Sequence, residues 1–212
     1  LIDVHHIPPC YAYRFKNDNE TPEEFGIRMA NTLEDEILKQ GPETVAAFVA
    51  EPVSGASLGA EPAAPRYFER IREICDQYGV LFIADEVMCG IGRTGFLFAM
   101  EAEGASPDIF TIAKGLGAGY QPIAAVLSNE KIIKSIKDGS GNLWNGHTYM
   151  SHAIACAGAL AVLKVIEEDQ LLGNVRSQGR KLEKMLRTEF ENNPNIGDIR
   201  GRGLFWGIEI VE

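Results

Sequence analysis

Residues 81–119, LFIADEVMCGIGRTGFLFAMEAEGASPDIFTIAKGLGAG, decide the fold. Two short apolar runs within and beside this stretch, VLFIAD at 80–85 and IFTIA at 109–113, show no alternation, which is the pattern of strands buried on both faces. One ends in Asp85 and the other runs into Lys114. Between them lie the glycine-punctuated residues 90–95 and a predicted short helix near residues 98–103.

The same alternation of elements continues outward. Upstream, Thr21, Pro22 and Glu24 form a capping-box start, and Gly41 closes a helix of roughly 18 residues. TVAAFVA at 44–50 is a further doubly buried strand with Glu51 at its carboxyl end, and residues 51–65 form the loop after it. Residues 67–78 space Phe68, Ile71, Ile74 and Cys75 as a helix does, and Gly79 supplies its left-handed cap. Downstream, IAAVLS at 123–128 is a fourth strand. Strands alternating with helices imply a mainly parallel sheet covered on both faces, so the fold class is α/β.

From Ser151 the chain changes character. An alanine-rich helix runs to about Glu168, a charged amphipathic helix follows from about Leu171 to Asn192, and IGDIRGRG and LFWGIEIVE close as short strands. A boundary near Glu167 divides the chain into residues 1–166, part of a large domain, and 167–212, the start of a small one. The first fifteen residues read as an irregular connection.

Composition narrows the function classes. A formal charge of −10 over 212 residues repels a polyphosphate backbone, so nucleic acid is excluded as a partner. Cys10, Cys75, Cys89 and Cys156 are widely spaced, with no CxxC pair, so no metal site is expected and free thiols in the cytoplasm are. No apolar run reaches the roughly 20 residues of a spanning helix, and LIDVHHIPPC lacks the basic-then-apolar start of a leader, so neither membrane insertion nor secretion is expected. The chain does not begin with Met and reads as a piece of something longer.

Ligands of parallel α/β sheets sit outside the carboxyl ends of the strands, where Glu51, Asp85 and Lys114 are all placed. Alone, each is read more readily as a loop, cap or solvated residue; together they put two acids and an amine around one cleft. Arg93 and His147 are nearby candidates, with a surface reading favoured for both, and Trp144 and Trp206 are read as packing groups. LFIADE is like the acidic strand of a P-loop protein, but no GxxxxGK[ST] occurs. GLGAGY lacks the spacing of a dinucleotide loop.

Residues 81–119 resemble the signature of class III pyridoxal 5′-phosphate (PLP)-dependent aminotransferases: a strand ending in Asp-Glu, a Gly/Arg/Thr loop, then Asp-aliphatic before Ala-Lys-Gly. EPVSGA at 51–56 and NGHTYMSHAIACAGALAVL at 145–163 are similar to family segments in the same order, so the resemblance covers nearly the whole chain. It implies the fold type I PLP-transferase architecture with part of a small α+β C-terminal domain. Lys114 would carry PLP as a Schiff base and act as general acid and base. Asp85 would hold the pyridine nitrogen protonated. Val87, two residues on, would face the same side and pack on the ring, and the GLGAG glycines would let backbone approach the cofactor. Thr148, ahead of a helix at Ser151, would hold phosphate in the partner subunit, which implies a homodimer with shared active sites; an ordinary helix cap is the other reading. Glu51 matches a glutamate that gates the substrate carboxylate together with an arginine lying beyond Glu212.

The implied reaction is transamination between an amine or ω-amino acid and a 2-oxo acid such as pyruvate, with the GRTG and HTY segments closest in look to ω-amino acid/amine:pyruvate transaminases. A same-fold aminomutase or decarboxylase, or a non-catalytic truncated fragment, are the alternatives. Two departures stand out: Met88 replaces a glutamine common in the family, and the upstream half of the catalytic domain, with its phosphate-holding turn and ring-stacking aromatic, is absent.

Overall fold

The computed structural model describes residues 2–212. The elements are α1 (Ala12–Phe15), α2 (Pro22–Gln40), β1 (Ala47–Ala50), β2 (Val53–Ser54), β3 (Glu61–Pro62), α3 (Tyr67–Tyr78), β4 (Leu81–Asp85), β5 (Ile109–Ile112), β6 (Ala125–Ser128), α4 (Glu130–Asp138), α5 (Ala153–Glu168), α6 (Leu171–Phe190), β7 (Ile196–Arg202) and β8 (Phe205–Ile210). The main sheet runs β1-β4-β5-β6, while β2-β3 and β7-β8 are separate two-stranded pairs.

The helix ends follow local chemistry. Thr21 accepts the Glu24 N–H and Glu24 returns to the Thr21 N–H, which satisfies two amides that the first turn of α2 leaves free. Gly79 ends α3 at φ 68°, where a side chain would be strained. α2 and α3 bury Phe25, Leu33, Ile37, Phe68, Ile71 and Ile74 against Phe48, Phe82 and Phe110 of the sheet. Phe82 is the centre of that core, stacked on Phe68 at 5.7 Å and tilted against Phe48 at 6.1 Å. Each such aromatic removed from water contributes on the order of 2–3 kcal/mol before entropy is counted.

Three features depart from the sequence reading. First, β6 pairs with β5 antiparallel, although β1-β4 and β4-β5 are parallel. The connection after β5 has no crossover helix, only a 3-10 turn at Lys114–Leu116, so the chain returns at the end of the sheet it has just left. Second, α2 and α3 both pack on the same face of the sheet. Residues of the other face, in the row Val49–Ile83–Ile109 and at Val126, are only half-buried or open, with Val49 58% and Val126 70% exposed. Third, α1 interrupts the irregular opening, and α4 was not anticipated; Leu1 lies outside the described residues. The helical turn foreseen near 98–103 is a 3-10 turn, Ala99–Ala102.

The β7-β8 hairpin is held to the loops that follow β1 and β4. Arg200 is bonded to the Leu58 and Gly59 carbonyls at 2.5 and 3.2 Å and pairs with Glu61, Asp198 and Glu209 at 3.0, 3.2 and 2.7 Å. Arg202 pairs with Glu103 at 2.5 Å. A Cβ on Gly207 would collide with the Gly59 carbonyl, so the hairpin seats backbone against backbone.

Candidate active site at the carboxyl edge of the sheet

Asp85, Glu51 and Lys114 fall at or just past the carboxyl ends of the hydrogen-bonded neighbours β4, β1 and β5. Asp85 is the last residue of β4 and sits in register opposite Thr111. Its Oδ1 accepts the Val87 N–H at 3.0 Å and the Thr111 hydroxyl at 3.2 Å, whereas Oδ2 receives no hydrogen bond among the described residues. The carboxylate is therefore oriented on one oxygen and open on the other. Its side of the sheet is the more open one among the described residues, shared with Val49 and Ile83.

Lys114 lies three residues beyond Thr111, at most about 10 Å of extended chain. It is exposed, and its backbone stands at φ 38°, a left-handed conformation that costs a non-glycine residue on the order of 1 kcal/mol or more. Ala118 at φ 48° and the β-branched Ile91 at φ 49° share that strain nearby. The Gly117 and Ala118 amides both donate to the Lys114 carbonyl and hold the turn. The lysine opens on a cavity of about 470 Å³ lined also by Met88, Gly90, Arg93, Leu172 and Phe205. Asp85 does not line it.

The remaining candidates are placed as follows. Glu51 is half-buried and accepts the Gly55 N–H at 2.9 Å; a Cβ on Gly55 would collide with the Met88 thioether and meet Glu51 Oε2, so Glu51 and Met88 share one corner. Val87 lies in a turn after β4, so strand alternation does not set its direction; what ties it to the site is the hydrogen bond its N–H donates to Asp85 Oδ1. Thr148 is exposed, five residues before α5, and does not meet the other four. The helix begins at Ala153 rather than Ser151, and its cap is His152, whose Nδ1 accepts the Ala155 N–H at 3.3 Å. Arg93 is exposed and lines the lysine cavity, and His147 is exposed. Trp206 donates its indole N–H to the Gly203 carbonyl, whereas Trp144 is 85% exposed.

Two residues were missed by sequence reasoning. Thr111 is a polar β-branched residue inside an apolar strand, a visible signal whose meaning depends on the register with Asp85. Glu86 is fully buried, and its carboxylate accepts the Ala99 and Met100 amides at 2.6 and 2.9 Å. Burial pushes its pKa up while those two amides pull it down. A charge embedded beside a strand end was its only trace in the sequence.

Among the described residues, no group of three or more His, Cys, Asp or Glu could hold a metal ion, and no helix is long and apolar enough to cross a membrane. The four cysteines are unpaired, and burial pushes Cys10, Cys75 and Cys89 up to about 12.

Comparison with known proteins gives a consistent result. The family model described as aminotransferase class-III matches residues 2–212. An uncharacterized aminotransferase of Schizosaccharomyces pombe is 50% identical over 207 residues, covering 98% of this chain and 45% of that protein. The chloroplastic gamma aminobutyrate transaminase 3 of Solanum lycopersicum is 43% identical over 99% of this chain and 40% of its own length. The crystal structure of the omega transaminase from Pseudomonas jessenii in complex with PMP superposes with a TM-score of 0.91 at 41% identity, over 97% of this chain and 46% of that one. The chain thus spans under half the length of each of these proteins.

Proposed function

Because the chain belongs to the class III aminotransferases, we propose that the whole protein transfers an amino group between an amine or ω-amino acid and a 2-oxo acid such as pyruvate, using pyridoxal 5′-phosphate, with Lys114 and Asp85 as catalytic residues. The observation that carries this reading is the pairing of a one-side-tethered carboxylate with an unpaired, backbone-strained lysine at the ends of adjacent strands. The names of relatives acting on gamma aminobutyrate or as omega transaminases support the choice of amine and ω-amino acid donors.

When bound, the cofactor supplies an aldehyde and an electron-accepting pyridine ring. The residues present fit it. Asp85 Oδ2 would accept a hydrogen bond from a protonated ring nitrogen and so keep it protonated, while the donors on Oδ1 stop the carboxylate from rotating away. The exposed Lys114 amine would hold the cofactor through its aldehyde and would carry a proton to or from the substrate α-carbon. Val87, tethered to Asp85 through its N–H, would be the residue to pack on the ring. Glu51, held by the Gly55 amide, is placed to meet a substrate or cofactor group on the β1 side.

Thr148 is assigned to the phosphate of a partner subunit's cofactor. Its exposure, and the exposed Ile154, Leu160 and Val165 on the α5 helix that follows it, support a homodimer with shared active sites. The free thiols support a reducing compartment, and we place the protein in the cytoplasm. Residues 1–166 are assigned to the large domain and 167–212 to the small one.

Borohydride reduction of the whole protein with its cofactor, followed by peptide mapping, tests the assignment: the cofactor mass is expected on Lys114. An adduct on another lysine refutes it. Half-reactions with a panel of amines and ω-amino acids then separate transamination from decarboxylation or amino-group migration on the same residues, since only transamination leaves an oxo product with the carbon skeleton intact.

A further inference from the structure

Glu86 has no part in the reading above, yet it has an expensive placement. A carboxylate with no solvent exposure must be compensated on both oxygens, and here the Ala99 and Met100 amides do so at 2.6 and 2.9 Å. The Glu86 N–H donates to the Thr111 carbonyl at 2.9 Å, and its carbonyl accepts the Gly90 N–H at 3.0 Å. One residue therefore ties the end of β4 to β5, to the turn at Ala99–Ala102 and to the start of the glycine loop. Gly90 is fitted around it, since a Cβ there would lie 2.7 Å from Glu86 Oε2. Thr111, which meets the backbone of residue 86 through its own carbonyl, is also the hydroxyl donor to Asp85 Oδ1.

We propose that Glu86 is a positioning residue for Asp85: its carboxylate, held by the Ala99 and Met100 amides, fixes the backbone between Asp85 and Val87, and so keeps the Val87 N–H on Oδ1 and leaves Oδ2 directed at the cofactor. This rests on the assignment of Asp85 to the ring nitrogen. A glutamine cannot replace it, because an amide offers one acceptor oxygen and turns an NH₂ against a backbone N–H.

The test is a double-mutant cycle on the whole, cofactor-loaded protein: parent, Glu86→Gln, Asp85→Asn and the pair, read as the rate of cofactor release after dilution and the pH dependence of the cofactor's visible band. Glu86→Gln is expected to release cofactor about tenfold faster and to shift the pH dependence in the same direction as Asp85→Asn. In the Asp85→Asn background it should add less than twofold. Full additivity, or release at the parent's rate, overturns the proposal, because a merely structural residue would act independently of Asp85. If Glu86→Gln does not fold, Glu86→Asp, which keeps the charge but withdraws the carboxylate from the Ala99 and Met100 amides, is held to the same criterion. Asp85→Asn retaining cofactor like the parent would remove both this proposal and the Asp85 assignment; a defective Asp85→Asn with an additive pair removes this proposal alone.

Discussion

Glu61 allows a quantitative forecast, because its surroundings bury a carboxylate with too few cations. It is 6% exposed, accepts the Ala12 N–H at 3.2 Å and lies 3.0 Å from the Arg200 guanidinium. That guanidinium is shared with Asp198 and Glu209, Tyr11 stacks beneath it, and Cys10 stands nearby. Burial, reinforced by the two neighbouring acids and only partly offset by the Ala12 amide and Arg200, pushes the Glu61 pKa up from 4.5 to about 7. Between those values the folded protein holds a proton that the unfolded chain has lost, so stability falls as pH rises from 4.5 to 7 and then levels. At about 1.4 kcal/mol per pH unit the loss approaches 3 kcal/mol. Glu61→Gln keeps an acceptor for Ala12 and cannot ionise, so its stability relative to the parent should improve by about 3 kcal/mol between pH 5 and 8. Urea midpoints of the cofactor-free protein, followed by tryptophan emission with Trp206 on the same hairpin, measure this at each pH. Parallel profiles for the two proteins, within about 0.5 kcal/mol throughout, would refute the reasoning. Glu209 acts in the opposite direction: hydrogen bonds from Tyr11, Arg14 and Arg200 hold it down to about 2, so its contribution is present above pH 4.5 and is lost as pH falls toward 2 in both proteins.

Other substitutions have expected outcomes of known sign. Phe82→Ala empties the centre of the aromatic stack and should cost about 3–5 kcal/mol in urea unfolding; under about 1 kcal/mol would mean that Phe68 and Phe48 collapse into the space. Thr21→Ala removes the α2 cap and should cost about 1 kcal/mol, with Thr21→Ser restoring it. Gly207→Ala forces the hairpin off the Gly59 carbonyl and should cost about 3 kcal/mol, with faster proteolysis near residues 58–59; unchanged cleavage would show that the seam tolerates a side chain.

What was legible from sequence is what neighbouring residues decide among themselves. The α2 capping box, the Gly79 cap and the strand ends at Asp85 and Ala50 are all local. α4 was equally legible and was missed: Asn129 caps it through the Ile132 N–H at 3.1 Å, and Ile132, Ile133 and Ile136 follow at helical spacing. Trp144 shows the opposite error, a large aromatic assumed to be packed that lies 85% exposed.

The sequence by itself determined the α/β class, the order of the elements and the delivery of Glu51, Asp85 and Lys114 to one edge, because strand ends and crossovers are written in short windows of chain. Only the tertiary structure decided that β6 runs antiparallel, that Thr111 stands in register with Asp85, and which groups orient the carboxylate. Those outcomes depend on pairs far apart in sequence, Thr111 with Asp85, Met100 with Glu86 and Arg200 with Glu61, whose meeting is a property of the folded chain and not of any segment of it.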